Sequence, residues 1–173
     1  MSGLPRVTIV MPSYNQARFL REAIDSVLTQ EYPELELLVL DGGSTDGSVA
    51  ILEEYGERLR FWSGRDRGQA DAINKGFARA SGEIVAWLNS DDRYVGGAIH
   101  RAVAELQRQP AAGMLYGNGE IIDEGGTLLG PFLSNQPFDL WTLVYLSDYI
   151  MQPTVFMRAD ALREVGGLDE SLH

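Results

Sequence analysis

Strand-like and helix-like segments alternate through the first half of the chain, and this alternation constrains the fold more than any other feature. VTIVM, from Val7, is short, apolar and rich in β-branched residues, and PSYN stops it. ARFLREAIDSVLTQ then sets Phe19, Leu20, Ala23, Ile24, Val27 and Leu28 at helical spacing, with Asn15 placed to cap the helix and Pro33 just beyond its end. LELLVL, from Leu35, closes a β-α-β unit of about 35 residues, the span of parallel strands joined by a crossover helix. The pattern recurs: a helix over 46–55 stopped by Gly56, the strand LRFWS, the helix GQADAINKGFARA stopped by Gly82, and the strand IVAWL. Four polar clusters, PSYN, DGGSTD, GRDRG and NSDD, each follow a predicted strand.

This order predicts a single α/β domain over residues 1–173. It is a Rossmann-type open sheet, mostly parallel, with helices on both faces and ligands bound beyond the carboxyl ends of the strands. The four clusters are therefore expected to meet along one edge. Beyond residue 94 the order loosens into a helix over Ala98–Gln107, a strand MLYGN, a hairpin turning at Gly125–Gly126, a helix in PFDLWTLVYL, an extended IMQPTVFM and a helix RADALREVGG, so the C-terminal part of the sheet is expected to be mixed.

Composition narrows the chemistry. There is no cysteine, and the only histidines are His100 and His173, so a zinc centre of the usual nitrogen and sulfur kind is not expected and any metal would be held by oxygen. Acids outnumber bases 25 to 14, a formal charge of −11, which argues against nucleic acid as a partner. An acidic cleft can still hold a diphosphate if a divalent ion lies between. No apolar run of membrane-spanning length and no signal-peptide pattern is seen, so no membrane span is expected and the setting read from the sequence is cytoplasmic, with peripheral attachment at the inner face of a membrane left open.

Each cluster has a plain structural reading beside a functional one. DGGSTDGS is an ordinary strand-to-helix turn, or a turn in which Asp41 accepts hydrogen bonds from a nucleobase while Gly42 and Gly43 let the backbone approach a ligand. A haloacid-dehalogenase-like phosphohydrolase would need an acid two residues after Asp41, where Gly43 stands. In GRDRGQAD, Arg65 and Arg67 are placed to meet a phosphate or base, or are surface charge, and Asp71 forms a solvated i, i+4 pair with Lys75 on a helix or belongs to the site. In NSDD, Ser90, Asp91 or Asp92 caps a helix, or a carboxylate supplies oxygen to Mg²⁺ or Mn²⁺ whose other positions go to diphosphate and water. His100 reads as a surface or packed residue and Trp62, Trp87 and Trp141 as mostly core, with a sugar site open to Trp141. Gln152 is read on an edge strand.

Taken together and in order, PSYN, DGGSTDGS, GQADAINKGFARASGE and VAWLNSDD resemble the nucleotide-sugar-binding half of the family-2 glycosyltransferases of GT-A fold. The resemblance runs over roughly Val7 to Tyr94. It implies a nucleotide-sugar-binding half at 5–94 and an incomplete acceptor-side half at 95–173. It also implies that Pro12, Ser13 and Tyr14 lie near the nucleobase, that Asp41 binds the nucleoside, and that Gly43, Arg65, Arg67, Asp71, Asn89 and Ser90 belong to the donor site. The same resemblance makes Asp91 the metal-contacting end of the family's D-x-D motif, with Asp92 beside it, and implies Mn²⁺ or Mg²⁺ as the cofactor. Asn89 stands where the family has its first aspartate, and Gly42 where it has the second residue of Asp-Asp-Gly-Ser. MQPTVFMRADALREVGGLDESLH is similar to the segment preceding the family's catalytic base, which is expected beyond His173.

The implied reaction is inverting transfer of a sugar from a UDP-, GDP- or dTDP-linked donor to a saccharide, lipid-linked or other hydroxyl acceptor, in polysaccharide or glycoconjugate synthesis of the cell envelope. A non-catalytic nucleotide-binding domain of the same fold is the alternative.

Overall fold

The computed structural model describes residues 3–171 other than 135. Its core is a six-stranded sheet in the order β3-β2-β1-β4-β8-β5, built from β1 (Val7–Ser13), β2 (Leu35–Asp41), β3 (Arg60–Ser63), β4 (Ile84–Trp87), β5 (Met114–Leu115) and β8 (Phe156–Arg158). β1 lies at the centre, parallel to β2 on one side and β4 on the other, and β3 extends the parallel run beyond β2. β8 then pairs antiparallel with both β4 and β5, which makes the sheet mixed.

Why β1 reads as an unbroken apolar run is clear from its two faces. Val7, Ile9 and Met11 point into a large cluster with Leu20 and Ile24 of α1 (Ala17–Leu28), Leu52 of α2 (Ser48–Glu54) and Ile99 and Leu106 of α4 (Ala98–Arg108). Val10 points the other way, into a smaller cluster with Leu38, Leu40 and Ala72 of α3 (Gln69–Phe77). A central parallel strand is covered on both sides, so alternation is lost. Gly76 lets α3 lie close: a Cβ there would stand 2.2 Å from Val10 Cγ1.

The predicted hairpin is present as β6 (Gly119–Ile122) and β7 (Leu128–Phe132), antiparallel, with Gly126 at φ 82° in the turn. α5 (Leu140–Tyr145) is capped by Asp139, which accepts from Trp141 N at 3.0 Å and Thr142 Oγ1 at 2.7 Å. α6 (Ala159–Val165) ends at Gly166. Among the described residues no helix is long and apolar enough to cross a membrane.

Three local expectations are corrected. Asn15 does not cap α1: it adopts φ 53°, and the first free amide, Ala17 N, donates instead to Asp46 Oδ2 at 2.8 Å, a partner 29 residues away. Gln152 does not lie on an edge strand. It begins a 3-10 turn before β8, which is internal, and its amide donates to Trp87 O at 2.8 Å, at the end of β4. Trp141 is 59% exposed on α5, where it packs only on the neighbouring Tyr145 ring among the described aromatics. Trp62, as read, packs against the smaller core cluster, half-buried, with the guanidinium groups of Arg60 and Arg79 over its ring. His100 is exposed with its ring edge-on to Tyr32, as read.

Candidate active site

The carboxyl ends of β1, β2, β3 and β4 point the same way, so the four clusters meet at one edge of the sheet. A cleft of about 300 Å³ opens there, with Pro12, Ser13, Tyr14, Asn89, Ser90 and Asp91 on its walls. Asp41, Gly43, Arg65, Arg67, Asp71 and Asp92 do not line it. Gln16, Asp66 and Gln69, which the sequence did not single out, do. A signal was present for Asp66, an acid flanked by two arginines within GRDRG.

The wall made by β1 and β2 is tied together by side chains. Asp41 is 2% exposed, and its carboxylate accepts from Gly43 N at 3.1 Å, Ser44 N at 3.0 Å, Ser63 Oγ at 2.6 Å and the Ser44 hydroxyl. Those donors use the lone pairs a carboxylate offers, so in this structure Asp41 organises the turn. It is also no free nucleophile, and the phosphohydrolase reading loses its central group. Asn15 N donates to Ser44 Oγ at 2.8 Å, and Thr45 N donates to Asn15 Oδ1 at 2.9 Å, joining the loops after β1 and β2. Ser13 is 5% exposed, and its hydroxyl is buried at the cleft with no partner among the described residues. A buried polar atom without a partner is costly, and a ligand in the cleft would relieve it.

The opposite wall carries Asp91, with Asp92 behind it outside the cleft. α4 begins only after Gly97, which occupies its N-cap position, so neither Ser90, Asp91 nor Asp92 caps a helix. Asn89 bridges the site, accepting from Gln69 Nε2 at 2.7 Å and donating to Asp92 Oδ2 at 3.3 Å. Burial, and then the neighbouring charge of Asp91, push the Asp92 carboxyl above its ordinary value of 3.8. Asp91 is exposed and accepts no hydrogen bond among the described residues. It lines both the 300 Å³ cleft and an adjoining groove of about 370 Å³ beside the β6–β7 hairpin.

No cluster of three or more His, Cys, Asp or Glu side chains suited to a metal occurs among the described residues. Mg²⁺ and Mn²⁺ sites that carry diphosphate do not need one, because one or two carboxylates serve and phosphate and water fill the rest. A free Asp91 next to an Asp92 that carries its charge at a cost fits that kind of site, since a cation between them would offset the repulsion.

Arg67 is corrected. Its guanidinium is held by two carboxylates, Asp71 at 3.0 Å and Glu170, and does not reach the cleft. Arg65 is exposed. Asp71 is buried, not solvated, at the start of α3. The Lys75 ammonium at 2.7 Å, the Arg67 amide at 2.9 Å and the Arg67 guanidinium hold its carboxyl well below the usual range. A depressed carboxylate contributes stability above its unfolded value and loses it as pH falls toward the folded one. Wild type is therefore expected to lose more stability than Asp71→Asn between pH 5 and pH 2, the range that begins above the ordinary value of 3.8 and runs below it. Urea midpoints across that range check it, and parallel curves would refute it. Asp92 acts with the opposite sign, its charge working against the fold above about pH 4.

A family model described as Glycosyl transferase family 2 matches residues 8–163. The chain belongs to glycosyl transferase family 2. An uncharacterised glycosyltransferase of Rickettsia felis is 31% identical over 97% of this chain, which spans 29% of that protein. The putative teichuronic acid biosynthesis glycosyltransferase TuaG of Bacillus subtilis is 31% identical over 75% of this chain, which spans 52% of it. Among solved structures, S. aureus TarS superposes with a TM-score of 0.73 at 22% identity, covering 96% of this chain and 31% of TarS. The mannosyltransferase PcManGT from Pyrobaculum calidifontis, solved in complex with GDP-Man and Mn²⁺, gives 0.72 at 24% identity, covering 96% of this chain and 48% of that one. The mixed, mostly parallel sheet of this family-2 chain is thus the GT-A fold.

Proposed function

We propose that this family-2 chain binds a nucleoside-diphosphate sugar in the cleft at the carboxyl ends of β1 to β4, and that the protein transfers the sugar to an acceptor hydroxyl with inversion at the anomeric carbon. The observation that carries the reading is the cleft itself. One wall offers a buried, unpartnered Ser13 hydroxyl beside the exposed Tyr14 ring, and the other offers the free Asp91 carboxylate. The donor nucleotide of PcManGT and its Mn²⁺ are in keeping with it.

In this reading Tyr14, 61% exposed, covers one face of the base, and Ser13 donates to or accepts from the nucleoside. Asp91, with Asp92 at its side, would hold Mn²⁺ or Mg²⁺. A divalent ion there supplies neutralisation of the leaving diphosphate. Asn89 fixes the carboxylate pair by bonding Asp92 on one side and Gln69 on the other. The base that takes the acceptor proton is assigned to no described residue. Glu170 is engaged by Arg67 and Asn74, and Asp169 by Ser171, whose hydroxyl bond holds the Asp169 carboxyl below its ordinary value.

Titration of the melting temperature with UDP, GDP and dTDP, with and without Mn²⁺, tests the reading. Ligand at a hundredfold excess over Kd stabilises by about 2.7 kcal/mol. A rise for at least one nucleotide that grows with Mn²⁺ is expected, and no rise with any of them would refute donor binding. A rise indifferent to metal would favour the non-catalytic nucleotide-binding domain, the reading for which Asn89 in the D-x-D position speaks.

A further inference from the structure

The glycine at position 42 is not demanded by the backbone. Gly43 has φ 86°, a conformation side chains rarely adopt, but Gly42 lies outside the left-handed region, where any residue would be accepted. What excludes a side chain at 42 is occupancy of the space. A Cβ there would meet Asp66 Oδ2 at 2.9 Å and the Tyr14 ring at 3.3 Å. The carboxylate of Asp66, carried on the loop from β3 to α3, thus fills the niche above Gly42.

Its two oxygens have different fates. Oδ1 accepts from Gly68 N at 3.0 Å, which fixes the side chain across its own loop. Oδ2 accepts no hydrogen bond among the described residues, although Asp66 is half-buried and lines the cleft with Tyr14 and Ser13. Of the two arginines that flank it, Arg67 is engaged by Asp71 and Glu170, and the exposed Arg65 makes no salt bridge to Asp66.

A half-buried, unpaired carboxylate oxygen beside an exposed aromatic ring selects a ligand by chemistry. It repels phosphate and accepts hydroxyl protons, and one oxygen has lone pairs for two donors. A ring next to it offers a stacking surface for a base. A vicinal diol attached to a base is the group that satisfies both, and the diphosphate then lies away from Asp66, toward Asp91 on the opposite wall. We infer that Asp66 is the acceptor for the ribose hydroxyls of the donor nucleotide, and that it makes the site selective for ribonucleotide donors over deoxyribonucleotide ones such as dTDP-sugars. This rests on the nucleotide-sugar reading above and deepens it.

Calorimetric titration of the protein with UDP and GDP and with their 2′-deoxy and 3′-deoxy analogues, in the presence of Mn²⁺, tests the assignment. A hydrogen bond to a charged group is expected to make loss of a hydroxyl cost roughly tenfold to a hundredfold in Kd. Asp66→Asn keeps an oxygen for Gly68 N and should bring ribo and deoxy forms close together in affinity. Gly42→Ala, by pushing the carboxylate out of its niche, should flatten the same difference while Asp66 itself is retained. Asp66→Asn is expected to melt with the wild type, since Asp66 lines the cleft, and it carries the test by itself if Gly42→Ala, at a buried position, is destabilised. Equal affinity of ribo and deoxy forms in the wild type, or a difference that survives Asp66→Asn, would overturn this assignment while leaving nucleotide binding intact. Absence of binding by every nucleotide would remove the donor-site reading and this inference with it.

Discussion

Asp41→Ala is expected to destabilise the fold by about 3 kcal/mol, the largest effect of any single change at this edge of the sheet. The substitution strips four donors, Gly43 N, Ser44 N, Ser44 Oγ and Ser63 Oγ, of one shared acceptor. A buried donor left unpaired costs about 1–3 kcal/mol, and water can reach some of these, so the total falls short of the sum. Asp41→Asn keeps one acceptor oxygen and should cost less. Urea denaturation of the three proteins measures the series. A loss below about 1 kcal/mol for Asp41→Ala would mean that the carboxylate is not structural, and would return it to the role of a nucleobase acceptor. The variant should also lose nucleotide binding, because the turn over 42–45 carries the Ser44 and Thr45 contacts that hold the loop after β1.

Asp91→Ala should behave in the opposite way. Its carboxylate supports no helix end and accepts no hydrogen bond among the described residues, and its charge raises the proton affinity of Asp92. Removing it is therefore expected to leave the melting temperature of the free protein unchanged or slightly raised. The Mn²⁺-dependent part of nucleotide binding should disappear, a loss of at least about tenfold in Kd, or ~1.4 kcal/mol. A residue kept for function at some expense to the fold has this signature. A fall in stability of the free protein with metal-dependent binding intact would instead make Asp91 a structural residue and remove the metal site from the proposal.

The two variants separate what the sequence could and could not disclose. The parallel half of the sheet was legible because its signals are local: apolar runs of strand length, helical spacing in α1 and α3, and turn residues at each strand end. The meeting of the four clusters followed from direction alone, since parallel strands bring their carboxyl ends to one edge. What escaped was set by partners far along the chain. Asp46 caps α1 from 29 residues away, and Gln152 reaches Trp87 across 65. Asp41 looked free for a ligand because its fourth donor, Ser63, comes from another strand. Arg67 looked free for a phosphate because Glu170 lies on a segment 103 positions later, as its number shows. β8 was read as extended, but no local pattern told that it would insert antiparallel between β4 and β5.

The bonds Asn15–Ser44, Asn15–Thr45 and Ala17–Asp46 clasp the first two loops into a single body. Neither loop can swing without the other, so an arriving molecule meets a surface already shaped on that side. Adjustment on capture is then left to untethered side chains such as Asp91, which accepts no hydrogen bond among the described residues. Pre-shaping of this sort lowers the ordering entropy lost on association, so tighter grip need not require further contacts.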